Sequence, residues 1–288
     1  MLCTLCPRNC NAVRTDKQCE GFCQSFTLPK VARIAPHFWE EPCISGSNGS
    51  GAVFFCGCNL KCVFCQNYEI SALNQGKYIT VSQLAECYKE LEKQGVHNIN
   101  LVNACHYVFA ILESFKIYKP SVPVVYNSSG YEKAETLKLL ENSVDIYLPD
   151  FKYSDNKLAE EYSSAPDYRE TAIEAIDEMV RQKGAPVFDD DGMLKSGVIV
   201  RHLILPNHTK NSIGVLEILK ERYNNKILVS LMGQYIPHGK ASQFKKLSRK
   251  ITKREYNKVA DKLLELELDG FMQELSAADE KFIPKWNY

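Results

Sequence analysis

The chain has 288 residues, of which 45% are hydrophobic and 24% charged, enough to bury a sizeable core and too ordinary a composition for a disordered protein. Thirty-five basic residues balance thirty-five acidic ones, so the whole-chain field steers it neither to nucleic acid nor to an anionic membrane. No apolar run reaches the roughly 18 residues of a membrane span, and the start, Met1-Leu-Cys-Thr-Leu-Cys-Pro-Arg8, lacks the basic-then-apolar order of a secretion signal, so a cytoplasmic location is expected.

Twelve cysteines are unevenly placed. Cys3, Cys6, Cys10, Cys19 and Cys23 crowd the start, Cys56, Cys58, Cys62 and Cys65 form a second group, and Cys43, Cys87 and Cys105 stand alone. Close-set cysteines without a secretion signal read as metal ligands before disulfides. Residues 1–50, rich in cysteine, proline and glycine, are expected to form an irregular metal-binding segment, and residues 51–288 a single domain.

In chain order, Ala52 to Phe55 is a short buried strand with the second cysteine group at its end. Thr80-Val-Ser-Gln83 has the form of a capping box, the amphipathic stretch Leu84 to Lys93 follows, and Gly95 suits the helix C-terminus. Strands are expected at 99–102, 122–126 and 144–148, with helices near 107–118 and 132–141 and a mostly helical stretch over 157–184. A surface loop or hairpin spans 186–197, where the acidic triplet of Asp189-Asp-Asp-Gly192 suits a solvated turn better than a cation site. Strands at 198–205 and 226–231 flank a helix at 212–223, and a second capping box, Thr252-Lys-Arg-Glu255, opens a last helix to about residue 266. This alternation implies a parallel sheet with right-handed crossovers. About six βα units, fewer than the eight of a closed barrel, give an α/β fold: a partial (β/α)6 TIM-like barrel with an irregular cysteine-rich N-terminal extension.

Cys58, Cys62 and Cys65 stand in a CxxxCxxC arrangement directly after the first strand. Such a loop can wrap three thiolates around one iron-sulfur cubane and leave the fourth iron open to an exogenous ligand. A zinc site or a set of buried thiols is the alternative, although zinc prefers four ligands in paired spacing and Cys56 adds only an awkward CxC. The loop resembles that of the radical S-adenosylmethionine (SAM) superfamily, including Phe64 before the last cysteine, a position that in the family lies against the adenine. With Val63-Phe-Cys-Gln-Asn67 and the surrounding phrases, the chain resembles, over essentially its whole length, relatives of pyruvate formate-lyase activating enzyme that begin with a cysteine-rich segment. The resemblance implies a [4Fe-4S] cluster on Cys58, Cys62 and Cys65, with SAM bound to the open iron. It also implies reductive cleavage to methionine and a 5'-deoxyadenosyl radical that abstracts hydrogen from a substrate, and a reducing partner such as flavodoxin or ferredoxin.

In a barrel the working groups sit at the C-terminal strand ends. Asn103 and His106 follow the second strand, where the relatives carry a glycine-rich stretch that holds the SAM amino group; this chain lacks the glycine pair, and the two residues are candidate replacements, His106 alternatively capping a helix or packing. Cys105 is a speculative hydrogen-atom donor or a small buried hydrophobe. The turns Tyr126-Asn-Ser-Ser-Gly130 and Leu148-Pro-Asp-Phe-Lys152 line up with turns that, in the family, bind a monovalent cation beside the SAM carboxylate, which makes Asn127, Ser128 and Asp150 candidate oxygen ligands, or members of ordinary turns. Lys152 and Arg201 are cationic candidates for a carboxylate, or partners in a salt bridge, and His202 points to the other side of its strand.

Cys3-Thr-Leu-Cys6-Pro-Arg-Asn-Cys10 with Gly21-Phe-Cys23 matches phrases shared by the close relatives, which implies a second metal site on Cys3, Cys6, Cys10 and Cys23, either zinc or iron-sulfur. The expected function is that of an activating-enzyme-like radical SAM oxidoreductase, whose target by analogy is the glycine of a glycyl-radical enzyme. Radical modification of a peptide or small molecule is the rival within the same chemistry, and a non-catalytic cysteine-rich metal-binding protein the rival outside it.

Overall fold

The computed structural model describes residues 2–275, 278 and 286, so the remainder of the expected 51–288 domain, residues 276–277, 279–285 and 287–288, lies outside the described residues. One sheet organises the chain. It begins with β1 Lys30–His37, which runs antiparallel to β2 Ser50–Phe55 and carries the short edge strand β3 Lys77–Tyr78. From β2 the strands are parallel and added in chain order: β4 Ile99–Val102, β5 Val124–Ser128, β6 Ile146–Pro149, then past β7 Val187–Phe188, which pairs back as a hairpin, to β8 Leu194–Leu203, β9 Leu228–Met232 and β10 Gly270–Met272. Within the described residues β3 and β10 are the two ends of the sheet, so the barrel is open, as expected. No described helix is long and apolar enough to cross a membrane.

Two short helices, α1 Pro42–Ser45 and α2 Tyr68–Ser71, precede α3 Val81–Lys93, which starts at the expected Thr80–Gln83 capping box. The crossovers that follow are α4 Val108–Ile117, α5 Ala134–Lys138, the pair α6 Asn156–Ser163 and α7 Tyr168–Lys183, α8 Thr209–Tyr223, and α9 Lys253–Glu265 behind the second capping box. Strand residues alternate between two layers. Tyr126, Tyr147, Val198 and Val200 face the helices, while Val125, Ile146, Leu148 and Ile199 form an inner cluster with Cys43 and Ile44 of α1. The segment from Phe38 to Gly46 therefore plugs the barrel from inside.

That plug and β1 depart from the expected irregular character of residues 1–50. Lys30–His37 belongs to the sheet, whose register it shares from Val31↔Phe55 to His37↔Ser50.

Two histidines are locked into the core as neutral rings. His202 is fully buried, with Nδ1 donating to the Phe151 carbonyl at 2.7 Å, and burial pushes its pKa down to about 4. His106 Nε2 donates to the Cys56 carbonyl at 2.7 Å, and burial pushes it down to about 3. Between the ordinary histidine value and these values the unfolded chain binds protons that the folded chain refuses, so stability is lost as pH falls. The expected penalty is about 2 kcal/mol per ring at pH 5 relative to pH 7, read from urea unfolding at the two pH values. Equal stability at both would contradict it.

Candidate active site

The C-terminal ends of the strands open onto a cavity of about 450 Å³. Its wall on one side is the loop after β2, with Cys58, Cys62, Phe64 and Cys65 all facing in; its floor holds Asn103, Asn127, Ser128, Asp150, Lys152 and Arg201. Sequence reasoning named these ten, and the fold brings them to one cavity.

Each of the three sulfurs accepts a hydrogen bond: Cys58 from the Leu60 amide at 3.3 Å, Cys62 from the Ser163 hydroxyl at 2.9 Å and Cys65 from the Ser71 hydroxyl at 3.3 Å. Ser163 is itself within 2.8 Å of the Tyr153 hydroxyl. Burial raises the Cys62 thiol to about 12 and raises Cys65 as well, so ligation there has to displace protons. Donors aimed at sulfur favour the thiolate and tune an iron-sulfur centre. Phe64 is buried and packs edge-on to Tyr235 with ring centres 6.1 Å apart. The backbone pins this loop on both sides, Val63 N to the Tyr162 carbonyl at 2.9 Å and Lys240 N to the Val63 carbonyl at 2.7 Å.

A charge network makes the floor. Arg201 donates from Nε to Asp150 Oδ1 at 3.1 Å, from Nη1 to Glu40 Oε2 at 3.1 Å and from Nη2 to Asn127 Oδ1 at 2.6 Å. Lys152 Nζ reaches Asp150 Oδ2 at 2.5 Å. Burial alone would raise Asp150, but the two cations outweigh it and hold the carboxyl below its usual range; burial likewise opposes the charge of Lys152 and Arg201, and the carboxylates raise both. The next side chain after Glu40, Glu41, is pushed up by burial and leaves one carboxyl oxygen without a partner. Neither Glu40 nor Glu41 was legible beforehand: they arrive on the plug, and Glu40 also accepts from Asn100 at 3.0 Å.

Not every expected site residue lines the cavity. Of the oxygens expected to hold a monovalent cation, the Asp150 carboxylate pairs with Arg201 and Lys152, Asn127 Oδ1 accepts from Arg201, and Ser128 Oγ accepts from the Gly130 amide at 3.2 Å. Cys105 and His106 miss the cavity: they sit in the 3-10 turn after β4, where His106 faces the Cys56 carbonyl and Cys105 is hydrogen-bonded to Cys6 and approached by Asn59 Nδ2 at 3.5 Å. Asn103 alone of that stretch reaches the cavity, its backbone at φ 59° and its amide donating to the Gly57 carbonyl.

The N-terminal cysteines are not among the residues that line the cavity. Cys6 turns inward to Cys105, Cys3 accepts from Arg14 Nη1 at 3.5 Å, and Cys10 and Cys19 flank Gly21. Among the described residues no three His, Cys, Asp or Glu side chains converge on a point that would hold one metal ion. A cubane needs no such single point, at either group of cysteines, because it spreads its thiolates over separate irons. Three thiols on one loop, each with a donor at sulfur, at the wall of a cavity large enough for a bound organic ligand, fit such a cluster.

The chain is 29% identical over 276 residues to an uncharacterized protein of Methanocaldococcus jannaschii, covering 93% of this chain and 75% of that one. Its fold is similar to Streptococcus suis SuiB, solved bound to the precursor peptide SuiA, with a TM-score of 0.51 and 13% identity over 77% of this chain; the chain spans 48% of that protein's length. A domain of pyruvate-formate lyase-activating enzyme from Bacteroides vulgatus matches with a TM-score of 0.41 and 10% identity, over 58% of this chain and 89% of that one. The family model of the radical SAM superfamily matches residues 52–216, from the first parallel strand into α8 and over more than half of the chain. With the three-cysteine loop standing where that match begins, the chain belongs to the radical SAM superfamily, and membership implies a [4Fe-4S] cluster and SAM.

Proposed function

We propose that Cys58, Cys62 and Cys65 hold a [4Fe-4S] cluster at the cavity wall and that the protein cleaves SAM reductively there. The observation that carries this reading is the meeting of the three sulfurs with the Asp150, Lys152 and Arg201 floor in one cavity. When bound, the cluster supplies one electron to the SAM sulfonium and so a 5'-deoxyadenosyl radical. The chain's own part is positional. Phe64 offers an aromatic face to the adenine, Lys152 and Arg201 offer cationic donors to the carboxylate, Asn103, Asn127 and Ser128 offer polar contacts, and the surrounding apolar wall limits water.

The target is a polypeptide, as in the activation of a glycyl-radical enzyme. Glu40, Asp150, Lys152 and Arg201, the carboxylates and cations of the cavity, are paired with one another, and burial pushes His37 down to about 4, so it too is neutral. The rim presents Trp39, with Phe38 beside it, both more than half exposed. With Lys152 and Arg201 given to the SAM carboxylate, the aromatic rim suits an uncharged peptide segment. An oxygen-sensitive cluster and an external reductant suit a cytoplasmic enzyme.

The test is anaerobic reconstitution, reduction with dithionite and assay of 5'-deoxyadenosine. Product above that of a Cys58→Ala/Cys62→Ala/Cys65→Ala control supports the reading; iron-loaded protein that yields none sinks it and favours a non-catalytic metal protein.

A further inference from the structure

Net charge zero conceals a strong local imbalance. Between Gly239 and Arg254 the sequence holds seven cations, Lys240, Lys245, Lys246, Arg249, Lys250, Lys253 and Arg254, and no carboxylate. All but Arg249 are exposed, and among the described residues Arg249 is the one that forms an ion pair, with Glu255 at 2.7 Å.

This basic segment is fastened to the cysteine loop at three points. Lys240 N donates to the Val63 carbonyl at 2.7 Å; Phe64 packs on Tyr235, whose hydroxyl donates to the Leu247 carbonyl at 2.7 Å; and Val63 N donates to the carbonyl of Tyr162, whose ring meets Phe244 edge-on at 5.5 Å. One further cation, Lys61, immediately precedes Cys62 and lies over the Phe22 ring at 4.9 Å. The outer side of the loop is thus a positive surface one hydrogen bond from the residues between Cys62 and Cys65.

We propose that this surface, centred on Lys240, Lys245 and Lys246, docks the protein that reduces the cluster: an acidic one-electron carrier. The inference rests on the cluster assignment to Cys58, Cys62 and Cys65. Charge complementarity selects the class of partner, and proximity selects the place, because electron transfer needs the carrier's centre brought as near as possible to the cluster. One electron leaves the reduced carrier, which is oxidised by one equivalent, and enters the cluster, which is reduced by one; no bond is made or broken at the surface.

The experiment uses the reconstituted holoenzyme with reduced flavodoxin or ferredoxin of net negative charge, and dithionite as a small reductant that needs no docking. In Lys240→Glu/Lys245→Glu/Lys246→Glu the carrier-driven rate of cluster reduction is expected to fall on the order of tenfold or more, and the wild-type rate to fall steeply between low and physiological salt, while dithionite-driven 5'-deoxyadenosine formation stays at the wild-type level. An unchanged carrier-driven rate overturns the proposal. So does a variant that keeps that rate but loses affinity for a single-stranded RNA or duplex DNA probe, which would assign the surface to nucleic acid. Absence of dithionite-driven product in the wild type would instead remove the radical reading itself, and the docking with it. Should the triple reversal impair folding, the salt dependence of the unmodified protein decides: a flat rate overturns the proposal.

Discussion

Arg201→Ala is expected to cost roughly 3 to 5 kcal/mol of stability, the range for removing one partner of a buried ion pair. The guanidinium ties three inner strands and the plug together, through Asp150, Asn127 and Glu40. Without it Glu40 keeps, among the described residues, the neutral donors of Asn100 and Asn127, and its buried charge stands uncompensated. At roughly 2 to 4 °C per kcal/mol for a chain of this size class, the melting temperature should fall by about 10 °C in the apoprotein, where no ligand confuses the comparison. Arg201→Lys should recover only part, because an ammonium cannot serve three acceptors arranged for a planar fork. Arg201→Met combined with Glu40→Gln should melt above Arg201→Ala, since neither charge is then left alone. Equal melting of wild type and Arg201→Ala would show that the network does not hold the floor.

Where local chemistry decided the structure, the sequence was readable. Both capping boxes form as expected, Thr80 with Gln83 and Thr252 with Glu255. Ile99–Val102 is a strand with the expected bounds, and the long stretch over 157–184 resolves into two helices separated by Ser164, which sits in the left-handed region. The three-cysteine loop and the two polar turns after β5 and β6 meet because parallel strands align their C-terminal ends, a consequence of topology alone.

What stayed hidden was tertiary. Lys30–His37 lacks clean alternation and carries Pro36, so its strand character depends on pairing with β2. Glu40 reaches Arg201 across 161 positions, and no periodicity marks such a contact. Cys105 and His106 looked like site residues because they follow a strand, yet Asn103 in a left-handed conformation turns the chain so that the next residues pack behind the cavity. The basic segment is hidden for a different reason: whole-chain charge is a sum, and a sum of zero says nothing about how the charges are arranged.

Gly130→Ala should be nearly as damaging as loss of Arg201, and Gly95→Ala provides its control. Both glycines have left-handed backbones, φ 75° and 79°, so a side chain costs each about 1 kcal/mol in conformation. They differ in surroundings. A Cβ at Gly95 would meet nothing within 4 Å, whereas at Gly130 it would stand 2.0 Å from the Asp150 carbonyl oxygen and 3.2 Å from the Tyr168 hydroxyl. That carbonyl cannot yield cheaply, because it accepts from Tyr168 at 2.9 Å and its own carboxylate is gripped by Lys152 and Arg201. Gly130→Ala must therefore push the turn after β5 away from the turn after β6 and spread the two polar ends of the site. The expected cost is about 3 kcal/mol or more, against about 1 for Gly95→Ala, measured as paired shifts in urea midpoint. Because the displaced atoms carry Asn127, Ser128 and Asp150, the same substitution should weaken SAM binding in the reconstituted protein while Gly95→Ala leaves it unchanged. Equal losses in the two variants would mean that the turns do not depend on their close approach, and the geometry of the floor would need another explanation.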